Sequence, residues 1–155
     1  MSAGLPVAID LDALGDTRRL WNDWIESAGA VLGIDPGSLS GDRGEASAAL
    51  DRAGAGNWRT LLERFCEDRA PAYLRRDAVA SAALRGLAGE GRSLGVFTDA
   101  PEPLARVALA QLGAERRVTV VETGSGALER LLSELGDRAL VVRTLDELRA
   151  AAEGS

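Results

Sequence analysis

Four short apolar runs punctuate the chain: PVAID ending at Asp10, LGVFT ending at Thr98, VTVVE ending at Glu122 and ALVVR ending at Arg143. Each is rich in β-branched or other apolar residues and too short for a core helix, so each predicts a buried strand. Helical spacing follows each of them. After Thr98, PEPLARVALAQLG offers Pro101 or Pro103 to a first turn and Gly113 to the stop. After Glu122, Leu128, Leu131, Leu132 and Leu135 recur with the period of one helix face. After Arg143, Thr144 and Glu147 have the spacing of a capping box. Apolar strands alternating with helices predict an α/β fold: a Rossmann-like three-layer sandwich whose mainly parallel sheet is covered on both faces.

The first crossover breaks this rhythm, because the chain from Gly15 to Leu74 is much longer than one connecting helix needs. Within it, TRRLWNDWIESAGAVLG reads as an amphipathic helix, GIDPGSLSGDRG as a loop, and EASAALDRAG and NWRTLLERFCEDRA as two more helices, the last capped by Asn57. Trp21, Trp24 and Trp58 all fall in this segment, where helix packing is their ordinary use. A further helix beginning at Asp77 returns the chain to the second strand. The division that follows is a core of residues 1–14 and 75–155 with a helical cap of residues 15–74 inserted after the first strand.

Composition then removes whole classes of chemistry. All 18 basic residues are Arg, and the chain has neither Lys nor His. No Ser-His-Asp or Cys-His arrangement, His metal ligand or Schiff-base Lys is therefore available within it. A formal charge of −6 disfavours a general nucleic-acid partner, which needs a basic face. The pairs Arg18-Arg19, Arg75-Arg76 and Arg116-Arg117 read as solvated surface. Cys66 is the single cysteine, which excludes an internal disulfide. The N-terminal stretch lacks a basic leader, and no apolar run approaches the ~20 residues of a membrane span. These features predict a cytoplasmic protein with neither a membrane nor a nucleic acid as partner.

Ligands of parallel sheets bind beyond the carboxyl ends of the strands. Those ends carry Asp10, Asp12, Thr98, Asp99, Glu122, Arg143 and Thr144. The Asp-x-Asp of IDLDALGDT, the cap-sized insertion after it and the second strand's terminal Thr98 together resemble the haloacid dehalogenase superfamily over nearly the whole chain. The resemblance implies a Rossmann-like core with a helical cap over the site. It makes Asp10 a nucleophile towards phosphorus and Asp12 the general acid/base. Thr98 matches the hydroxyl that holds a phosphoryl oxygen, and beside it Asp99 and Arg143, the latter standing in from a neighbouring strand for the family's basic residue, complete the candidate phosphate-binding group. It also implies a magnesium ion held by Asp10, the backbone carbonyl of Asp12 and an acid after the fourth strand, for which Asp146 is nearest. Because Asp12 is an acid, a phosphatase is implied rather than a dehalogenase.

Three motifs depart from that family's pattern. Ala13 and Leu14 replace the expected Gly and Thr, Glu122 or Thr123 stands near an expected basic residue, and Arg143-Thr144 replaces an expected Gly-Asp. The expectation is thus a magnesium-dependent phosphomonoesterase acting on or binding a small phosphorylated metabolite, with weak or impaired hydrolysis. The alternative is a non-catalytic relative that serves as a binding or interaction module.

Overall fold

A computed structural model describes residues 4–154 of the chain. Residues 1–3, part of the stretch read for a leader, and Ser155, at the end of the expected loose tail, lie outside the described residues. Four strands, β1 (Val7–Asp10), β2 (Leu94–Thr98), β3 (Val120–Thr123) and β4 (Leu140–Val142), form one sheet in the order β3-β2-β1-β4. All three pairings are parallel. Among the described residues seven α-helices flank it: α1 (Arg18–Leu32), α2 (Arg43–Arg52), α3 (Trp58–Tyr73), α4 (Ala78–Gly89), α5 (Glu102–Gln111), α6 (Ala127–Leu135) and α7 (Leu145–Glu153). This is the α/β, Rossmann-like three-layer arrangement that the alternating runs predict. The third strand starts two residues later than its apolar run, at Val120, and continues to Thr123.

The sheet's two faces follow from the period of two along β1. Ala8 turns towards α6 and packs with Phe97, Ala127 and Leu131. Val7 and Ile9 turn the other way, into a larger cluster with Leu84 and Leu87 of α4, Leu104 and Ala108 of α5, and Leu148 of α7. Gly95 sets the approach of α6, since a Cβ there would lie 2.6 Å from Leu131 Cδ1.

Helices α1, α2 and α3 lie within residues 15–74, and their apolar faces join the same large cluster. The rings of Trp21 and Trp24 are 5.3 Å apart and those of Trp24 and Trp58 are 5.9 Å apart. All three are buried. The indole N–H of Trp58 donates to Asp51 at 2.9 Å, so its polar edge is satisfied within the packing.

Side-chain caps start three of the seven α-helices among the described residues. Asp77 accepts the N–H groups of Val79 and Ala80 at α4, and Thr144 accepts that of Glu147 at α7. Glu147 completes the box one residue early, accepting the N–H of Arg143 at 3.1 Å. Asn57 precedes α3 as expected, but its side chain makes no capping bond. Helix α2 starts at Arg43, inside the segment that reads as loop, because Asp42 caps it by accepting the Glu45 N–H at 2.9 Å. No helix among the described residues is long and apolar enough to cross a membrane.

Candidate functional site

The chain runs from β1 outward through β2 to β3, then returns across the sheet to place β4 on β1's other side. The strand order therefore reverses beside β1, and the carboxyl end of β1 is the crevice in which such sheets bind ligands. Asp10 ends β1 there, opposite Phe97 of β2 in the pairing register, while Ile9 pairs with Val142 of β4. Thr98 and Arg143 are each one step beyond those partners, so they flank Asp10 from the two neighbouring strands.

Beyond Asp10 the backbone tightens into a 3-10 turn, Leu11–Ala13, that buries Leu11 and Ala13 and leaves Asp12 towards the cleft. Asp10 Oδ1 accepts the Asp12 N–H at 3.0 Å. Asp12 Oδ1 in turn accepts the Thr17 N–H at 3.0 Å and the Thr17 hydroxyl at 2.6 Å. One carboxylate thus braces the turn and the other fastens the start of α1.

Arg43, the first residue of α2, reaches into the same place. It is only 2% exposed. Its Nε donates to Asp99 Oδ1 at 2.8 Å, its Nη1 to Thr17 Oγ1 at 2.7 Å and its Nη2 to Thr98 Oγ1 at 3.4 Å. Nη2 also lies 3.6 Å from Asp12 Oδ2. The Arg43 backbone N–H donates to Asp99 Oδ2 at 3.0 Å. Arg18 approaches Asp99 Oδ2 at 3.5 Å and donates to the Gly41 carbonyl at 2.7 Å.

Thr98 Oγ1 accepts from both Arg43 and the Ala100 N–H, the latter at 3.2 Å, so its own proton is the one left to donate. Arg143 lies 5.4 Å over the Phe97 ring. The far wall is the turn Gly124-Ser125-Gly126 and the first turn of α6. Gly124 and Gly126 have φ of +82° and +74°, a backbone that glycine adopts without strain. Arg130 fastens this turn by donating to the carbonyls of Thr123 and Ser125. The whole encloses an open cleft of about 430 Å³.

The electrostatics are uneven across it. Burial pushes the Asp10 carboxyl above its ordinary value, outweighing the Asp12 N–H that it accepts. Burial acts on Asp99 in the same sense, but the backbone N–H and guanidinium of Arg43, with Arg18 beyond, hold that carboxyl below its ordinary value.

Asp10, Asp12, Thr98, Asp99 and Arg143, singled out from the sequence, all line this one cleft. Asp146 and Glu122 do not. Asp146 sits in the first turn of α7 with its side chain 88% exposed and its carboxylate 3.5 Å from Arg149. Glu122 is held by Arg130 at 2.9 Å. Two cleft residues and one buried behind them carry no sequence signal for this place: Arg43, which reads as loop; Arg18, which reads as solvated surface; and Thr17. The structure shows the local signal that bears on Arg43: Asp42 and Glu45 have the spacing of a capping box.

The donor set, as placed, does not fit the magnesium ion that the resemblance implies. That ion demands near-octahedral oxygen ligation. Asp146, the acid that would complete the set with Asp10 and the Asp12 carbonyl, is exposed, faces Arg149 and does not line the cleft, and of the nearer acids Asp99 accepts from Arg43 through both oxygens while Asp12 Oδ1 accepts twice from Thr17. Among the described residues no three His, Cys, Asp or Glu side chains are grouped to hold a metal ion.

No protein-family model matches the chain, and no curated protein matches it.

Proposed function

We propose that this is a cytoplasmic, haloacid dehalogenase-like protein of phosphohydrolase type, whose cleft binds a small phosphorylated molecule and hydrolyses it weakly through Asp10. The observation that carries the reading is the meeting of two carboxylates, the Thr98 hydroxyl and the Arg143 guanidinium at the point where strand order reverses. A phosphate entering there meets Arg143, the free Thr98 proton and the N–H groups of the first turn of α6, which have no partners within the helix.

In the reaction, an Asp10 oxygen attacks phosphorus and the ester P–O bond breaks. The leaving oxygen takes a proton from the Asp12 carboxyl. Water then attacks the aspartyl phosphate, Asp12 takes its proton, and phosphate leaves with Asp10 restored. Two features make turnover slow. Burial disfavours the anionic Asp10 that must attack. Five carboxylates, Asp10, Asp12, Asp42, Asp99 and Glu129, also line the cleft against three guanidiniums, Arg18, Arg43 and Arg143. Charge stabilisation is the main lever on phosphoryl transfer, and the loss of one cationic partner costs roughly three to five orders of magnitude in rate.

The test is a panel of phosphomonoesters with wild type and Asp10→Asn. Slow turnover that Asp10→Asn abolishes is expected; equal rates for the two proteins overturn the hydrolase reading. A second reading, a non-catalytic binding module, is favoured by the engagement of Arg43 with Asp12 and Asp99. Calorimetric binding of a phosphomonoester that is never turned over selects it.

A further inference from the structure

We propose that Arg43 is the resident cation of this cleft: its guanidinium holds the acid-lined position between Asp12 and Asp99, so that the cleft takes its phosphorylated ligand without a divalent metal. The nature of the ligand rests on the functional reading above; the place of the cation rests on Arg43 alone.

A guanidinium keeps its charge at every pH at which proteins fold, so Arg43 brings a permanent positive charge into the interior. Such a charge persists only when paired and hydrogen-bonded. Arg43 meets that demand through three nitrogen atoms and its backbone N–H: Asp99, Thr98 and Asp12 line the cleft, and Thr17 lies buried behind it. The same contacts occupy the side-chain oxygens of two acids that could otherwise serve a metal beside Asp10. Asp99 is engaged through both oxygens, and Asp12 faces Arg43 with the oxygen that Thr17 leaves over. A divalent ion drawn to these acids would sit against a fixed positive charge, or would have to expel it.

A separate close approach holds α2 in this position. A Cβ at Gly44 would lie 2.3 Å from Ser125 Oγ and 2.5 Å from Ser125 N. Only glycine lets the start of α2 rest on the turn before α6, which places Arg43 at the depth where it reaches Thr17 and Thr98.

The experiment titrates magnesium chloride alone into wild type, Arg43→Gln and Arg43→Lys by calorimetry, and follows the Arg43 Nε–H resonance of the wild type by NMR. The wild type is expected to show no heat of binding at millimolar magnesium and an unmoved Nε–H resonance. Arg43→Gln, which leaves the acids without their cation, is expected to gain at least about tenfold in magnesium affinity. Arg43→Lys, which keeps a charge, is expected to gain less. Millimolar or tighter magnesium binding by the wild type with a displaced Nε–H resonance overturns the proposal, and so does Arg43→Gln with no gain. If Arg43→Gln does not fold, the wild-type resonance decides. A parallel titration with inorganic phosphate, with and without EDTA, tests the ligand. Binding unchanged by EDTA supports a metal-free site, and binding abolished by EDTA overturns it. Failure of phosphate to bind at all removes the phosphorylated ligand and the functional reading with it, while the magnesium titration still decides the role of Arg43.

Discussion

Arg43 and Asp99, 56 positions apart in the chain, are joined twice: the guanidinium Nε donates to Oδ1 at 2.8 Å and the backbone N–H donates to Oδ2 at 3.0 Å. One carboxylate at the end of β2 thereby satisfies a helix-start N–H of α2 and pairs with the side chain of the same residue. The first N–H groups of a helix have no partners within it, and a carboxylate is favoured at that end. Asp99 therefore ties the insertion to the sheet as well as lining the cleft.

Asp10 and Asp99 impose opposite pH dependences on stability. The folded Asp10 pKa is raised, so its contribution is fully present below the ordinary carboxylate value and is lost as pH rises through the folded one. Asp10→Asn should raise the melting temperature at neutral pH, and the gap should close as pH falls below the ordinary value. The folded Asp99 pKa is lowered, so its contribution is present above the ordinary value and lost as pH falls through the folded one. Asp99→Asn should lower the melting temperature at neutral pH and converge with wild type in acid. Melting curves across the pH range check both signs, and two shifts of the same sign would contradict this account.

Gly44→Ala places a methyl group against Ser125 Oγ and backbone. Although alanine is the better helix former by about 1 kcal/mol, forcing α2 off the turn should leave a net loss of roughly 1–2 kcal/mol. Adding Ser125→Gly should recover only part of it, because the Ser125 backbone nitrogen remains in the way. Urea unfolding of the two variants measures the difference.

Thr17→Val keeps the shape but removes a hydroxyl that donates to Asp12 and accepts from Arg43. With two groups of the cleft losing a partner, a loss of about 1–3 kcal/mol is expected in chemical denaturation. Thr17→Ser, which retains the hydroxyl, should stay within about 1 kcal/mol of wild type.

Cys66 is buried on α3, and its thiol is pushed up to about 12 by burial, with Glu63 and Glu67 adding to the effect. At pH 8 only about one thiol in ten thousand would be ionised. A thiol reagent should therefore label the folded protein far more slowly than the denatured one. Rapid stoichiometric labelling under native conditions would show that α3 opens from the core.

Much of the architecture is legible locally. Leu94 to Thr98 is a run of strand-forming and small residues, buried on both faces, and it stands as β2. Thr144 and Glu147 form their cap because both partners lie within one helical turn. Asp10, Asp12 and Thr98 were legible as strand-end groups for a related reason: parallel strands bring their carboxyl ends to one edge. Asp146 illustrates the limit, since its place in the series after β4 is as expected, yet the first turn of α7 directs it to Arg149 and solvent. Arg18 is the converse case, a member of an apparently solvated pair that the fold of the insertion turns onto Asp99.

The sequence by itself determined the four strands, the helices between them and the acidic edge, because apolar period, caps and strand ends depend on neighbours within a few residues. Only the tertiary structure decided that Thr17 locks Asp12, that α2 lies over the cleft, and that Arg43 is buried among its acids. A guanidinium carries the same local signal in a loop, on a surface or in an interior. Its burial depends on whether partners from distant segments arrive to compensate its charge, and here they come from the β1–α1 connection and the end of β2.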